Sequence, residues 1–295
     1  MAKSGLLLVD KPAGFTSHDV VAKARKILGT RKVGHAGTLD PMATGLLVLG
    51  VESGTKLLTF IVGQDKTYEA TIRLGAATHT DDAEGDVIST ADPKLLAAVT
   101  DGEIMAAISK LTGSISQIPS SVSAIKVSGV RAYDLVRAGE AVELKAREVT
   151  VSRFELIGAI RRSTDSIELD VVIDCSSGTY IRALARDIGQ ALGVGGHLTK
   201  LRRTRVGNFL TEKASSLEDL NQESTIGLVE AAKEVLPSFE LESQQVVEIR
   251  HGKRIDGSIA EVTALTFSRE LIAIAEPVEG SKIKSLVVFN EVNDD

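Results

Sequence analysis

The chain has no tryptophan, a single cysteine (Cys175), and aromatic side chains at only 3% of its 295 positions. Each scarcity removes a class of function. One thiol permits neither an intrachain disulfide nor a zinc site built from clustered cysteines. The five histidines are dispersed and form no HExxH pattern, which argues against a metal centre. So few aromatics leave no broad base-stacking platform of the kind RRM domains use. No apolar run approaches the roughly 18 residues needed to cross a bilayer. The apolar stretch near Met1 gives way to charge at Asp10 and Lys11, too early for a secretory signal, so a cytoplasmic location is expected. An excess of positive charge is missing as well. The net charge of −6 argues, taken whole, against a nucleic-acid binder.

What is present is ordinary in bulk and uneven in place. Hydrophobic residues at 43% and charged residues at 25% suit a globular protein with a sizeable core. The length fits one large or two ordinary domains. Residues 1–40 carry seven Lys or Arg against three acids, a net of +4, and residues 196–207 carry Lys200, Arg202, Arg203 and Arg205 with no acid. Residues 211–245 are the opposite, at −6. Acidity is thus segregated, and a local basic face can still hold phosphates within a Debye length of about 8–10 Å. Solvated faces of mixed sign are the competing explanation for either cluster.

The densest information lies in Gly34-His-Ala-Gly-Thr-Leu-Asp40-Pro-Met-Ala-Thr-Gly45. A lone acid stands in a loop hemmed by three glycines. Pro41 biases Asp40 toward extended geometry, because its ring disfavours the helical region for the preceding residue. Glycines allow a tight turn and a close ligand. A carboxylate held this way can act as a nucleophile or stabilise a cation. Asp before Pro is also common turn chemistry, so a plain surface turn competes.

Around this loop the pattern alternates between strands and helices. Leu6–Val9 predicts a buried strand, followed by a turn at Lys11–Gly14. Ser17 is placed to cap a helix with Val20, Val21, Ala24, Ile27 and Leu28 on one face and Gly29 as its stop. Leu46–Val51 predicts another buried strand. In Thr67–Leu74, Tyr68, Ala70, Ile72 and Leu74 face one side and Thr67, Glu69, Thr71 and Arg73 the other. His79–Asp86 is an acidic loop, and residues 94–111 have helical spacing. The segment from Gln117 to about Lys145 holds Lys126 and Arg131 and suits an inserted RNA-gripping arm at about 117–146. Glu168–Cys175 alternates, and Thr179 is a candidate N-cap for a helix bearing Tyr180, Leu184 and Ile188. Pro237 marks a candidate boundary. Beyond it Val246–Ile249, Leu271–Ile274 and Leu286–Phe289 look strand-like. The expected class is α+β with a mixed, largely antiparallel sheet.

Four ordered motifs carry a family resemblance. They are Gly5-Leu-Leu-Leu-Val-Asp-Lys11-Pro12-Ala-Gly-Phe-Thr-Ser17, the Asp40 loop, Asp65-Lys-Thr-Tyr68-Glu-Ala, and Cys175-Ser-Ser-Gly-Thr-Tyr180-Ile-Arg182 with Gly196-His-Leu-Thr-Lys-Leu201-Arg-Arg203. In order and spacing they resemble the TruB family of tRNA pseudouridine synthases, across residues 5 to about 210. The resemblance implies the pseudouridine-synthase fold over 1–237 and a small PUA-like β domain over 238–295. It implies isomerisation of uridine 55 in the TΨC loop of tRNA, with base flipping. Asp40 would be the nucleophile and Arg182 the partner that keeps it ionised. Tyr68, Tyr180 and Leu201 would line the uracil pocket, and His35 would fill the space the flipped nucleotides leave. RNA-binding candidates are Lys11, Lys126, Arg131, Lys200, Arg202 and Arg203.

The residues bear on each role separately. Arg182 falls in the first turn of a predicted helix, where the macrodipole disfavours a cation by about 0.3–1 kcal/mol, so it should have a partner or a task. Tyr68 and Tyr180 can be simple core, His35 a solvated turn residue, and Lys11 either an active-site support or a surface charge. Isomerisation loses no group and changes no redox state, so no cofactor or metal is expected. Whether the carboxylate attacks the sugar, attacks the base or assists a glycal is left open. A glycoside hydrolase would need two carboxylates about 5–10 Å apart, whereas one motif acid is present. A non-catalytic RNA-binding module would not need Asp40. A guide-RNA particle component would carry extra tails, and none is evident. The expected partner is tRNA alone, through its TΨC stem-loop, with no membrane and no obligate protein partner.

Overall fold

In the computed structural model, residues 2–120, 126–127, 130–131 and 144–289 are described. The chain divides into two compact units. One takes the residues up to Pro41, Gly45–Val62, and the chain from Val206 onward; the other takes Met42–Thr44 and Gly63–Arg205. Among the described residues no helix is long and apolar enough to cross a membrane.

The first unit is organised by two strands that are apolar on both faces. Gly5–Lys11 runs antiparallel to Thr44–Val51 in unbroken register, Gly5 opposite Val51 and Lys11 opposite Gly45. Alternation sorts their side chains. Leu7, Val9, Leu47 and Leu49 meet Val20, Val21, Ala24 and Leu28 of the Ser17–Leu28 helix. Leu6, Leu8, Leu46 and Val48 meet a second cluster with Ala231, Ala264, Ile274 and Phe289. Fully burying one such side chain contributes about 1.5–3 kcal/mol, so a continuous apolar run is what a strand covered on both faces requires. Short strands at Val33–His35, Ser215–Ser216 and Thr225–Gly227 complete this part of the sheet.

The helix begins at the expected cap, Ser17, so its actual cap lies one residue earlier. Thr16 is the N-cap: the Asp19 N–H donates to its hydroxyl, and the Asp19 carboxylate accepts the Thr16 N–H at 2.8 Å. Ser17 is therefore inside the first turn and points inward. Gly29 ends the helix at φ 68°, a left-handed value that suits glycine. Ile27, expected on the apolar face, is exposed because its position has rotated off the buried stripe.

The unit's C-terminal part forms a five-stranded sheet, ordered Ser238–Glu240, Thr263–Phe267, Glu270–Val278, Lys282–Val288, Ile255–Asp256. The runs at Leu271 and Leu286 are strands as expected. Val246–Ile249 is not: it lies in a helix, Ser243–Arg250, that buries Val246 and Ile249. A four-residue apolar run has no period of its own, and packing of alternate helical positions decided it.

The second unit is a twisted sheet ordered Gly196–Val206, Lys66–Leu74, Ile167–Cys175, Arg147–Leu156, Gly113–Gln117. The last three pairings are antiparallel. Lys66–Leu74 alternates as expected, burying Tyr68, Ala70, Ile72 and Leu74. The helix Ile181–Ala191 returns so closely to the Gly195–Gly196 backbone that a Cβ at Gly189 would collide with it. The helical pattern of 94–111 resolves into two helices, Pro93–Ala98 and Asp101–Lys110, separated where Val99 and Thr100 adopt extended backbone.

Candidate active site

The Asp40 loop is held at both of its ends and on both sides of the acid. Gly37 and Gly45 turn it at φ 89° and 97°. Ala36 donates to Val48 at 2.9 Å, so the loop leaves the sheet as a paired strand. Before Asp40, the Leu39 peptide is clasped by Ser17: the Leu39 N–H donates to Ser17 Oγ at 2.9 Å, and Ser17 Oγ–H donates to the Leu39 carbonyl at 3.1 Å. After Asp40, the Pro41 carbonyl accepts from the Gly14 N–H at 2.9 Å and from Lys11 Nζ at 3.2 Å. The Asp40 side chain itself is half-buried. A carboxylate between two fixed peptides has lost most of the freedom that would blunt a nucleophile.

Lys11 is the keystone of that arrangement. It is 0% exposed, and its ammonium also donates to the Pro12 and Phe15 carbonyls at 3.0 and 2.6 Å. Burying an ammonium is expensive unless its donors are satisfied, and here they reach the carbonyls of Pro12, Phe15 and Pro41. Of the two readings, support rather than surface charge fits, and a fully enclosed lysine is not offered to RNA phosphate. His35 is half-buried on its short strand, and the exposed His18 meets it edge-on, ring centres 5.5 Å apart.

In the second unit, Tyr68 is 9% exposed on the strand beside Gly196–Val206, which carries Leu201, also buried. Tyr180 is half-buried and is the residue at which the Ile181–Ala191 helix begins, extended at φ −100°. The expected cap Thr179 donates instead to the Ser176 carbonyl, so it closes the preceding turn. Tyr180 is pinned through its backbone: its N–H donates to Gln117 Oε1 at 2.8 Å, and Gln117 Nε2 donates to its carbonyl at 3.1 Å.

Arg182, placed where a cation calls for a partner or a task, pairs with Asp82. Its guanidinium lies 3.1 Å from the Asp82 carboxylate and donates to the Thr80 carbonyl at 2.8 Å. Both side chains are almost wholly buried. Asp82 also accepts from the Thr80 hydroxyl and, at 3.0 Å, from the Glu84 N–H. The acidic loop expected at 79–86 thus supplies inward-facing acids: Asp81 pairs in turn with Arg186 at 3.2 Å.

The basic strand is mixed in its display. Lys200 is exposed and Arg202 half-buried, but Arg203 is 1% exposed. In this conformation Arg203 is enclosed by protein and leaves the phosphate-binding candidates, since alternation turns it to the side opposite Arg202. Next to it Lys66 is also buried, and burial, reinforced by the Arg203 charge, lowers its pKa to about 8. Opposite Lys66 in the neighbouring strand, Cys175 is pushed up to about 11 by burial. Lys126 and Arg131 sit on a two-residue ladder, Lys126–Val127 with Val130–Arg131; their side chains, and most of the expected arm, lie outside the described residues.

Residues 25–181 match the TruB family pseudouridylate synthase N-terminal domain, and residues 182–238 match the tRNA pseudouridylate synthase B C-terminal domain. The chain belongs to the TruB family. It is 54% identical to tRNA pseudouridine synthase B of Leifsonia xyli over 296 residues, covering 98% of this chain and 97% of the relative. It is 55% identical to the protein of the same name from Nocardia farcinica, covering 92% and 89%. Among solved structures, a chain of an H/ACA RNP bound to a substrate RNA aligns at TM-score 0.72 with 25% identity, over 97% of this chain and 85% of that one. A chain of a Cbf5-Nop10-Gar1 complex aligns at 0.70 with 27% identity, over 97% and 84%.

Within this TruB chain, four residues that contact candidate residues or the Asp40 loop were not singled out for such a role from sequence. They are Ser17, His18, Asp82 and Gln117. Ser17 and Gln117 act through backbone groups 22 and 63 positions away, and Asp82 through an arginine 100 positions away. A serine, a glutamine and one acid among several carry no local mark of such partners.

Proposed function

We propose that this chain, a tRNA pseudouridine synthase, acts on uridine 55 in the TΨC loop and uses Asp40 as its nucleophile. The observation that carries the reading is the clamped loop, which holds the motif carboxylate between two fixed peptides. The reaction breaks the C1′–N1 bond, turns the base, and joins C1′ to C5; the C5 proton is lost and N1 gains one. Nothing is oxidised and no group departs, so a placed carboxylate and an enclosed base suffice. Tyr68 stacks on the flipped uracil, with Tyr180 and Leu201 beside it. Arg182, oriented by Asp82, supplies the fixed positive charge of the site. His35 takes the space the nucleotide vacates, and Lys200 and Arg202 contact phosphate. The enzyme acts without a protein partner and in the cytoplasm, where its tRNA substrate is found.

Incubation with unmodified tRNA transcript and chemical mapping of pseudouridine tests the position. Asp40→Asn tests the role. It should abolish turnover while RNA affinity changes by less than about tenfold, or 1.4 kcal/mol. Turnover within about a hundredfold of wild type would remove Asp40 from the nucleophile role.

A further inference from the structure

We propose that Ser17 is a positioning residue for Asp40, acting through the Leu39 peptide. The inference rests on the reading of Asp40 as nucleophile. Ser17 is 1% exposed, and its hydroxyl both accepts the Leu39 N–H and donates to the Leu39 carbonyl, at 2.9 and 3.1 Å. It thereby satisfies both polar groups of one buried residue, the one immediately before the carboxylate. Few side chains can do this: the donor and acceptor must sit on a single atom, close to the backbone and facing in.

The hydroxyl is itself fixed. Ser17 is the first residue of a helix whose start is locked by the Thr16–Asp19 capping pair and whose face is buried through Val20, Val21, Ala24 and Leu28. On the far side of the acid, the Pro41 ring restricts φ and its carbonyl is held by Lys11 and Gly14. These two anchors flank Asp40 directly, one on each side of it in the chain. Removing the hydroxyl frees the Leu39 peptide and adds the unsatisfied N–H and C=O as a reason for it to turn toward water. A displacement of about 1 Å at a reacting group can cost on the order of a hundredfold in rate.

The experiment compares wild type, Ser17→Ala and Ser17→Thr on a tRNA transcript. It uses single-turnover rate, transcript affinity, thermal melting and hydrogen exchange at the Leu39 amide. Ser17→Ala should lower the single-turnover rate by roughly ten- to a hundredfold, with affinity within about twofold of wild type. Leu39 exchange should accelerate while that of Ala36, paired to Val48, does not. Ser17→Thr, which keeps the hydroxyl, should restore both rate and protection. If the threonine methyl is not accommodated, the Ser17→Ala rate and the Leu39 exchange decide alone. A Ser17→Ala rate within threefold of wild type overturns the proposal. So does unchanged Leu39 exchange, or a rate loss that merely follows weaker binding or a smaller folded fraction. Asp40→Asn run in parallel separates the two failures. An active Asp40→Asn removes the underlying reading, whereas an inactive Asp40→Asn beside a normal Ser17→Ala removes only Ser17.

Discussion

Asp82→Ala should remove one partner of a buried ion pair outside the Asp40 loop. The Arg182–Asp82 pair is 3.1 Å long, with side chains only 8% and 4% exposed. An exposed pair of that length is worth about 0–1 kcal/mol, but truncating one partner of a buried pair costs about 3–5 kcal/mol. The cost is not only electrostatic. Asp82 also takes the Thr80 hydroxyl and the Glu84 N–H, so the turn that carries the Thr80 carbonyl to Arg182 loses its internal bonds together with the ion pair. At about 2–4 °C per kcal/mol, the melting temperature should fall by roughly 6–20 °C. Arg73–Asp165 provides a control, because it is 3.0 Å long but exposed. Asp165→Ala should leave melting within about 2 °C of wild type. Asp82→Asn, which keeps an acceptor and loses the charge, should fall between the two. The double variant Asp82→Ala/Arg182→Met should be less destabilised than the sum of the single changes, because both remove the same pair interaction. Thermal melting of these four variants and of Arg182→Met alone, with the transcript assay alongside, reads all of this. If Asp82→Ala melts like the Asp165 control, the buried pair is not what orders the 78–86 turn, and the role given to Asp82 in orienting Arg182 falls with it.

Further outcomes follow from the charges and from the flipped base. Lys66 has a folded pKa of about 8 against an ordinary value of 10.5, because burial disfavours its ammonium. Between those values the unfolded chain binds the extra proton, so Lys66 makes stability rise with pH through this window and its contribution is lost as pH falls through 8. Cys175 works in the opposite direction: with a folded pKa of about 11 against 9.0, its thiol lowers stability as pH rises from 9 to 11. In a Cys175→Ala background, resistance to urea unfolding should therefore rise between pH 8 and 10, and Lys66→Met should flatten that rise. Binding of tRNA should weaken steeply with salt, and replacing Lys200 and Arg202 by Ala should lower the slope of log affinity against log salt by roughly 1–2. An unchanged slope places those residues off the RNA path. An isolated TΨC stem-loop should be a substrate, with Tyr68→Ala slowing the chemical step and His35→Ala weakening the flip reported by a fluorescent base analogue. An inert stem-loop beside reactive full-length tRNA would place recognition elsewhere on the tRNA.

What was legible in the chain was whatever depends on near neighbours. Strand Lys66–Leu74 could be read because a period of two is visible within nine residues. The double-faced strands announced themselves as unbroken Leu and Val, and Gly29 as a stop. Where two local signals competed, packing decided. Val246–Ile249 has the β-branched content of a strand, yet the Gln245 side chain accepts the Glu242 N–H and starts a helix there. Serine and threonine both suit a cap, yet Thr16 is the cap here and Ser17 turns inward to Leu39. The same distinction divides the candidate site itself. A nucleophile must be displayed, and Asp40, proposed for that role, sits in a loop whose glycines and proline mark it within a dozen residues. The groups that aim it cannot be displayed in the same way. Fixing a loop requires anchors on elements that do not move with it, and such elements are necessarily remote in the chain: a helix start for Leu39 and a strand end for Pro41. Asp82 is remote from Arg182 for a related reason, since a buried cation at a helix start needs an acid from another element to offset both desolvation and the helix dipole. The chemistry is thus written locally and its precision non-locally. Substitutions at Ser17, Lys11 and Asp82 should therefore change rate or stability without changing what the enzyme recognises.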